Sequence, residues 1–398
     1  MLQLKIVNFS QDSYIVVEGK ADTDHFYIIQ KGSVRSLKSN GISEVPVTYG
    51  PGDFVGVVPC MSGHLQIESA VANTDVVAIS VKKEQYPELI AQNTPIALKI
   101  IKSFANRMRT MNQMLTKATL NSVVVDDRNQ IFKVAHFYEK TYRNDIAAFA
   151  YYQYLKTKPE GEAAEFAKKH FVALKPKTHA VYYEPTDDQT REYPKDTMIF
   201  SEAQSGSDMF IIQRGEVAIS KVVNGEEVML AVLKKGDMFG EMALIENKPR
   251  SANAIAHSDC TLMVINRSNF NQMVATQPQL ISKLTTTLAE RLWSMYRQLD
   301  NASLTEPVEK LVDILALQAE KQKMGLDTSN RTMQTDLTPK DLANMCGLPS
   351  NLHARAIFDF QALQNYRLVN GKIFVKDVQE LIKQAAFYRK NNEKNNEK

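Results

Sequence analysis

The chain has 398 residues, of which 44% are hydrophobic, and its formal charge at pH 7 is +3. A single hydrophobic core rarely grows beyond ~250 residues, so this length predicts two or three domains. The small net charge argues against a strongly basic or strongly acidic binding protein. The cysteines Cys60, Cys260 and Cys346 lie far apart in the sequence, which argues against a disulfide framework and against a zinc site.

The two ends of the sequence predict a cytoplasmic protein with no membrane partner. The start, MLQLKIVNFSQDS, lacks the apolar segment of a signal peptide. No run in the sequence reaches the ~18 to 20 apolar residues that a membrane span requires. The last residues, 391–398, are polar and of low complexity, which predicts a disordered tail.

The sequence repeats itself at an offset close to 184 residues. The segment GPGDFVGVV at residues 50–58 aligns with KKGDMFGEM at residues 234–242, and FYIIQKGSV from Phe26 aligns with MFIIQRGEV from Met209. Because this register holds over roughly 100 residues, we infer two copies of one domain. In each copy, short alternating runs between glycine turns predict the strands of a small barrel, and a helical pattern that begins near a proline follows.

The segment between the copies has a helical pattern. Residues 131–174 carry alanine, tyrosine and phenylalanine at helical spacing, with a KPEGE turn near the middle. The pattern predicts a helical hairpin that is weakly similar to a tetratricopeptide unit. A plain spacer and a peptide-binding repeat are both open.

The second copy contains a loop whose residues suit an anion. The loop, FGEMALIENKPRSANA, runs from residue 239 to residue 254. Gly240 permits close backbone approach, and the residues after it can form a short helix whose free N–H groups face an anion. Arg250 supplies a planar guanidinium for a phosphodiester, and Glu241 can accept a hydrogen bond from a ribose hydroxyl. A polar surface loop with an ordinary Arg–Glu ion pair is the alternative.

This loop resembles the phosphate-binding cassette of cyclic-nucleotide-binding domains through its F-G-E-x-A-L and P-R-S-A elements. The resemblance is close over about residues 195–299 and is at the level of fold over about residues 13–115. It implies that Glu241 contacts the ribose, that Arg250 contacts the phosphate, and that nearby backbone surrounds the phosphate. The ligand-binding residues expected on this basis are Gly240, Glu241, Met242, Ala243, Arg250, Ser251 and Ala252.

The resemblance also bears on the identity of the ligand. A serine at position 251, in place of threonine, favours cAMP over cGMP, and no cofactor is expected besides this nucleotide. In the following helix, residues 278–299, Trp293 or Tyr296 could stack on the purine. An aromatic side chain on an amphipathic helix more often belongs to the core, so that alternative stays open.

The first copy lacks the residues that the cassette needs. At the offset of 184, Glu241 becomes Val57 and Arg250 becomes Gln66. His64 and Lys20 are the remaining candidates for substitute contacts. We expect this copy to keep the fold, to bind no cyclic nucleotide, and to act in dimerisation or relay.

The C-terminal segment predicts a helix-turn-helix followed by a wing. Thr338 caps a helix, Gly347 marks the turn into a second helix, and LVNGKIFV predicts a hairpin with an Asn-Gly turn. This order resembles the DNA-binding end of the Crp/Fnr family of bacterial transcription regulators, whose second helix reads bases from its N-terminal end. The candidate DNA-binding residues are Ser350, Asn351, Arg355 and Lys372.

The composition of this segment leaves its partner open. From residue 300 to residue 398, about fourteen lysines and arginines stand against about thirteen acids, whereas a domain that neutralises phosphates is normally more basic. Leu352, Phe358 and Phe360 also make the second helix unusually apolar. A protein partner in place of DNA is therefore the alternative.

Together these patterns predict an α+β multidomain protein with no catalytic residue and no metal site. Two β-barrels of the cyclic-nucleotide-binding type, a double-stranded β-helix or jelly-roll, are joined by the helical spacer and followed by the winged helix-turn-helix. The expected function is a cyclic-nucleotide-responsive Crp/Fnr-like transcription regulator, and the alternative is a signalling adaptor whose winged helix binds a protein. A homodimer and an internal pseudo-dimer are both open. The predicted boundaries are 1–120 for the degenerate receptor domain, 121–180 for the spacer, 181–300 for the competent receptor domain, 301–390 for the winged helix and 391–398 for the tail.

Overall fold

The structure, a computed structural model, describes residues 2–38, 47–120, 129–183, 189–223, 225–324 and 332–396. The chain folds as two compact units. One unit comprises residues 1–119 and 274–398, and the other comprises residues 120–273. No helix in the described ranges combines the length and the apolar character that crossing a membrane would need.

The first receptor domain is a barrel of two antiparallel sheets with flanking helices. The described strands pair in the orders β1-β8-β3-β6 and β2-β7-β4-β5, around a core of valine, isoleucine and alanine side chains. Its elements are β1 (Lys5–Phe9), β2 (Tyr14–Val16), β3 (His25–Lys31), β4 (Val34–Leu37), β5 (Thr48–Tyr49), β6 (Phe54–Val55), α1 (Val57–Ser62), β7 (Ser69–Ala72), β8 (Val76–Lys82), α2 (Tyr86–Gln92) and α3 (Thr94–Leu120).

The spacer forms three helices in its described part, not the two of the predicted hairpin. They are α4 (Gln130–Lys140), α5 (Asn144–Lys156) and α6 (Glu162–Leu174). The KPEGE turn lies between α5 and α6, but the chain also turns between α4 and α5, where Tyr142 has a φ of 60°. Because neither glycine nor proline marks that turn, the sequence pattern predicts one continuous helix where the structure has α4 and α5. The spacer packs its aromatic side chains with Met198, Val222 and Ile255 of the second barrel.

The second receptor domain repeats the strand order of the first. Its described strands pair in the orders β9-β16-β11-β14 and β10-β15-β12-β13, so every strand has a counterpart in the first barrel. The predicted duplication is therefore confirmed at the level of topology. Its elements are β9 (Thr190–Tyr193), β10 (Met198–Phe200), β11 (Met209–Arg214), β12 (Val217–Val223), β13 (Glu226–Leu233), β14 (Met238–Phe239), α7 (Glu241–Glu246), β15 (Asn253–Ala256), β16 (Cys260–Ile265) and α8 (Arg267–Thr276).

The short helices α1 and α7 show how closely the two copies agree. Each has six residues, and each follows a glycine in the left-handed region, Gly56 with a φ of 76° and Gly240 with a φ of 78°. A residue with a Cβ rarely adopts this conformation, so both copies use glycine to begin the helix sharply after a strand. The two helices begin at equivalent residues, Val57 and Glu241.

The C-terminal elements follow a long helix. They are α9 (Pro278–Ser303), α10 (Pro307–Lys321), β17 (Met333–Gln334), α11 (Pro339–Met345), α12 (Ser350–Gln361), β18 (Tyr366–Val369), β19 (Lys372–Val375) and α13 (Val378–Asn396). Thr338 caps α11 in a capping box with Asp341, because each side chain accepts a hydrogen bond from the backbone of the other. The hairpin of β18 and β19 gains β17 at its β19 edge.

The expectation of a disordered tail at residues 391–398 is wrong for residues 391–396, which belong to helix α13. The helix continues to Asn396, and only residues 397–398 of the predicted tail lie outside the described residues. Its anchor is Asn392, which is 8% exposed and donates its side-chain amide to the carbonyl oxygen of Ser303 at 3.1 Å. Leu381 and Ala385 are fully buried one and two turns into the helix, so the polar end extends a helix that is already packed.

Candidate nucleotide-binding site

Arg250 lies against the start of α7. Its Nη1 donates to the carbonyl oxygen of Gly240 at 2.7 Å. A Cβ built at Gly240 would lie 2.7 Å from that same Nη1 and 3.2 Å from the carbonyl oxygen of Asp208. Glycine is therefore required here both for the left-handed backbone and for the close approach of the arginine.

The Arg250 guanidinium is buried on aromatic rings. Its side chain is 6% exposed, and its Cζ lies 4.2 Å from the ring centre of Phe200 and 5.8 Å from that of Phe210. Burial lowers the pKa of Arg250 to about 10, against the opposing effect of Asp208 and Glu241. Its Nε is buried and has no hydrogen-bond partner among the described residues. A buried cation with an unused donor is costly unless an anion completes it, so this position suits a phosphate.

The other predicted cassette residues lie in the same helix and loop. Glu241 is the first residue of α7 and is 2% exposed. Ser251 directs its hydroxyl to the sulfur of Met242 at 3.7 Å. Ala243 and Ala252 are buried, with exposures of 1% and 6%. The structure thus gathers the predicted ligand residues around the N-terminal end of one short helix.

Backbone hydrogen bonds fix the loop that carries Arg250. Ala203 N–H donates to the Arg250 carbonyl, and Arg250 N–H donates to the Gln204 carbonyl, both at 2.9 Å. The first domain has the equivalent pair, in which Gly19 donates to Gln66 and Gln66 donates to Lys20. The two loops therefore have equivalent backbone hydrogen bonds, and they differ in the side chain at this position, Arg250 in one and Gln66 in the other.

Three residues beside Arg250 carry no motif in the sequence: Gly206, Asp208 and Arg191. A Cβ at Gly206 would lie 2.6 Å from both Nε and Nη2 of Arg250. Asp208 pairs with Arg191, whose Nη1 lies 3.5 Å from the carboxylate. The repeat offers a partial signal for Asp208, because Asp24 occupies the equivalent position in the first copy, but nothing in the sequence marks Arg191.

The first domain presents a different set of side chains at the equivalent place. Gln66 is 4% exposed and donates its side-chain amide to the carbonyl oxygen of Asp22 at 2.7 Å. Val57 is buried at the position of Glu241. Asp22 and Asp24 add negative charge to this loop, which disfavours an anion. The prediction that this domain binds no cyclic nucleotide stays a prediction, and these residues agree with it.

Helix α9 packs on the first domain, within the same compact unit. The Trp293 ring stacks on His64 with ring centres 3.7 Å apart, and the Tyr296 hydroxyl accepts from Arg107 at 2.6 Å. Thr285 lies 3.0 Å from the Tyr86 hydroxyl. The two aromatic residues named as possible purine contacts therefore pack against the first domain here, and they behave as core residues.

The candidate DNA-binding residues lie on α12 and on the hairpin. Ser350 is the first residue of α12, and Asn351 is exposed. Arg355 has a side chain that is 88% exposed, with its Nε 3.7 Å from the carboxylate of Asp359. Lys372 begins β19 and is half-buried.

Comparison with known proteins agrees with this assignment of the barrels. The family model described as "Cyclic nucleotide-binding domain" matches residues 6–93 and residues 190–277. The CRP-like cAMP-activated global transcriptional regulator of Mycobacterium tuberculosis is 25% identical over 199 residues, which are 50% of this chain and 88% of that protein.

Two further relatives are named for two different nucleotides, cyclic AMP and cGMP. The cyclic AMP receptor protein of Thermus thermophilus is 32% identical over 119 residues, which are 30% of this chain and 55% of that protein. The cGMP-dependent protein kinase 2 of Homo sapiens is 40% identical over 91 residues, which are 22% of this chain and 12% of that protein. The family match shows two cyclic nucleotide-binding domains in this chain, and the relatives show that it is similar to CRP-like transcription regulators.

Proposed function

We propose that this protein is a cyclic-nucleotide-responsive transcription regulator whose second receptor domain binds the nucleotide. The observation that carries the proposal is the buried Arg250, whose Nε has no partner among the described residues and whose Nη1 is held at the start of α7. A cyclic phosphate supplies one negative charge and oxygen acceptors. These would complete the guanidinium and the free N–H groups of the first turn of α7.

The proposed ligand is cAMP. Glu241, at the first position of α7, accepts a hydrogen bond from the ribose 2′-hydroxyl, and the phosphate binds Arg250 and the backbone from Gly240 to Ala243. Ser251 is the residue that favours cAMP over cGMP, by the resemblance of the cassette. Relatives named for cAMP and for cGMP both match the chain, so both nucleotides belong in the test.

Calorimetric titration of the full chain with cAMP and, separately, with cGMP tests the receptor. We expect one site per chain, with cAMP the tighter ligand. Arg250→Ala should abolish binding, and Arg214→Ala, which removes an exposed arginine from the same barrel, should leave it unchanged. Two sites per chain would mean that the first domain is also competent, and no binding at millimolar nucleotide would overturn the proposal.

We also propose that α11, α12 and the hairpin of β18 and β19 act as a winged helix-turn-helix that binds DNA. The support is the order of these elements and the exposure of Asn351 and Arg355 on α12. The hairpin contributes Lys372 as a phosphate contact. The first residues of α12 would enter the major groove, as in other helix-turn-helix proteins.

A buried cluster of charges gives the proposed route from receptor to DNA. Asp313 of α10 is fully buried and accepts from Arg297 of α9 at 3.2 Å, and it also pairs with Arg389 of α13. Arg297 in addition donates to Glu320 of α10 at 2.9 Å. Because α9 follows the second barrel in the chain, a change in α9 on nucleotide binding would be carried to α10 and α13. The ligand must bind one arrangement more tightly than the other for this to occur.

Gel-shift titration against genomic fragments, at a stated salt concentration and with and without cAMP, tests DNA binding. Each lost cation–phosphate contact should weaken binding to all fragments alike and lower the salt slope by about one. We therefore expect the Arg355→Ala, Lys372→Ala double variant to bind more weakly than the parent. Unchanged DNA affinity in that variant would count against the model.

A protein partner in place of DNA is the second candidate for the C-terminal elements. The observation in its favour is the apolar surface of α12, where Phe358 is 72% exposed and Leu352 is 37% exposed. Arg355 is also partly engaged by Asp359. A protein that binds cAMP but shifts no DNA fragment at low salt would favour this adaptor function.

A further inference from the structure

Two residues outside the expected cassette form an ion pair beside Arg250. Arg191 of β9 is 7% exposed, and its Nη1 lies 3.5 Å from the carboxylate of Asp208, which precedes β11. The guanidinium of Arg191 lies 5.3 Å from the ring centre of Tyr183. Its Nε is buried and has no hydrogen-bond partner within the described residues. A second arginine is therefore buried in this barrel, where it pairs with Asp208 and also hydrogen-bonds to Tyr193.

Asp208 stands between the two arginines. Its backbone oxygen lies 3.2 Å from the place where a Cβ at Gly240 would be, and the Nη1 of Arg250 lies 2.7 Å from that same place. Its charge is the largest of the influences that favour the charged form of Arg250 and so oppose the lowering of the Arg250 pKa by burial. Asp208 is thus placed to interact with Arg250 when its ion-pair partner Arg191 is removed.

The charges around the site balance before any nucleotide enters. Arg191 and Arg250 supply two positive charges, and Asp208 and Glu241 supply two negative charges. All four side chains are buried or largely buried, where charges interact more strongly than in water. Loss of one arginine would leave a net negative charge at the place where an anion must bind.

We propose that Arg191 is a positioning residue for nucleotide binding, because it holds the Asp208 carboxylate and cancels its charge, which leaves Arg250 available to the phosphate. The inference rests on the proposed nucleotide site. Without Arg191, the Asp208 carboxylate competes with the phosphate for Arg250. The negative charge of the carboxylate also repels the phosphate. Both effects weaken binding, and both disappear if the Asp208 charge is removed too.

A double-mutant cycle on the full chain, with cAMP as the titrant in a calorimeter, tests the proposal. Arg191→Gln should lower the affinity by about tenfold or more, as expected when one partner of a buried charge pair is removed. Asp208→Asn should bind as tightly as the parent or more tightly. The double variant should recover to the level of Asp208→Asn, which a loss of packing at Arg191 would not produce.

The outcomes separate this inference from the proposed function. If the parent protein fails to bind, the nucleotide site itself is wrong. If the parent binds and Arg191→Gln binds equally well, or if the double variant is as weak as Arg191→Gln, only the role of Arg191 is wrong.

Two further variants cover a failure to fold. Arg191→Lys keeps the charge and should bind within a few-fold of the parent. If Arg191→Gln does not fold, Asp208→Asn decides alone, since weaker cAMP binding in that variant would contradict competition by the Asp208 carboxylate. Thermal unfolding of each variant, followed by circular dichroism, establishes which proteins are folded.

Discussion

At the scale of single residues, the space around Arg250 is set by glycines. Gly206 has no Cβ. A Cβ built there would lie 2.6 Å from both the Nε and the Nη2 of Arg250. The guanidinium is the flexible end of its side chain, so a methyl group would displace it from the aromatic rings without moving the backbone. The orientation of the Arg250 guanidinium therefore depends on the lack of a side chain at Gly206.

We predict that Gly206→Ala weakens the free energy of cAMP binding by more than it lowers the free energy of unfolding. Overpacking of a well-packed site costs about 1 to 3 kcal/mol, but the displaced Arg250 would also meet the phosphate in the wrong position. Calorimetric titration and thermal unfolding measure the two effects. Gly50→Ala is the control, since a Cβ there meets nothing within 4 Å. Unchanged affinity in Gly206→Ala would mean that Arg250 has room to adapt.

A second prediction at this scale concerns the stacked pair of His64 and Trp293. Burial, together with the nearby charges of Lys323, Lys83 and Arg297, lowers the pKa of His64 to about 4. The unfolded chain has the ordinary pKa of about 6.5, so between pH 6.5 and pH 4 it binds the proton that the folded chain refuses. The contribution of His64 to stability is therefore complete above pH 6.5 and is lost as the pH falls towards 4.

Trp293 reports this transition directly because it is the one tryptophan in the sequence. Its fluorescence should change as the stack with His64 breaks, and urea unfolding should show a lower free energy of unfolding at pH 4.5 than at pH 7. Other groups also titrate in this range, so His64→Phe, which keeps a ring on Trp293, isolates the histidine. An identical pH dependence in His64→Phe and the parent would contradict the assignment.

The sequence predicts part of the site because that part is local. Glu241 and Arg250 belong to one short loop, and a motif records their spacing. Arg191 and Asp208 come together only when strand β9 and the loop before β11 are both in place in the barrel, which no local pattern records. The cation–π contact of Arg250 with Phe200 is hidden for the same reason.

At the scale of elements, the α9, α10 and α13 helices meet at one buried carboxylate. Asp313 is fully buried, and its pKa is lowered because Arg297 and Arg389 outweigh the opposing effect of burial. Asn301 of α9 donates to the same carboxylate at 3.1 Å. Removal of this one charge leaves two arginines without their shared partner.

We predict that Asp313→Asn destabilises the protein by about 3 to 5 kcal/mol, the usual cost of breaking a buried ion pair. Calorimetric unfolding at pH 7 should show a lower transition temperature for the unit that contains α9 to α13. Asp359→Asn, which removes a carboxylate 44% exposed on α12, is the control and should change the transition little. Equal transitions in the two variants would mean that Asp313 is not needed to hold these helices together.

Sequence patterns locate most of the elements and misplace some boundaries. The strands follow alternating runs between glycine turns, and the cap at Thr338 follows its capping residues. The turn at Tyr142 has no glycine or proline, and the polar end of α13 is helical because Asn392 and the buried residues before it are packed. The second error comes from tertiary contacts that override local composition.

At the scale of the whole chain, the first receptor domain serves as a platform for α9. The apolar stripe of α9 is a packing face, since Leu284, Leu288 and Leu292 are 0% exposed within their own chain. Leu280, nearer the start of the helix, remains 43% exposed. The first copy has thus kept the fold of a receptor and supplies the surface that buries this helix.

This packing of α9 on the first domain predicts that the chain is monomeric in solution. A homodimer that pairs long helices through an apolar stripe needs that stripe to be free, and here the first domain already covers it. Light scattering after size-exclusion chromatography should give the mass of one chain at micromolar concentration. Leu288→Arg places a charge in the buried stripe and should detach α9, expose apolar surface and cause self-association, whereas Leu280→Arg at the exposed end should leave a monomer. A parent protein with the mass of two chains would show that a surface other than this stripe joins two copies.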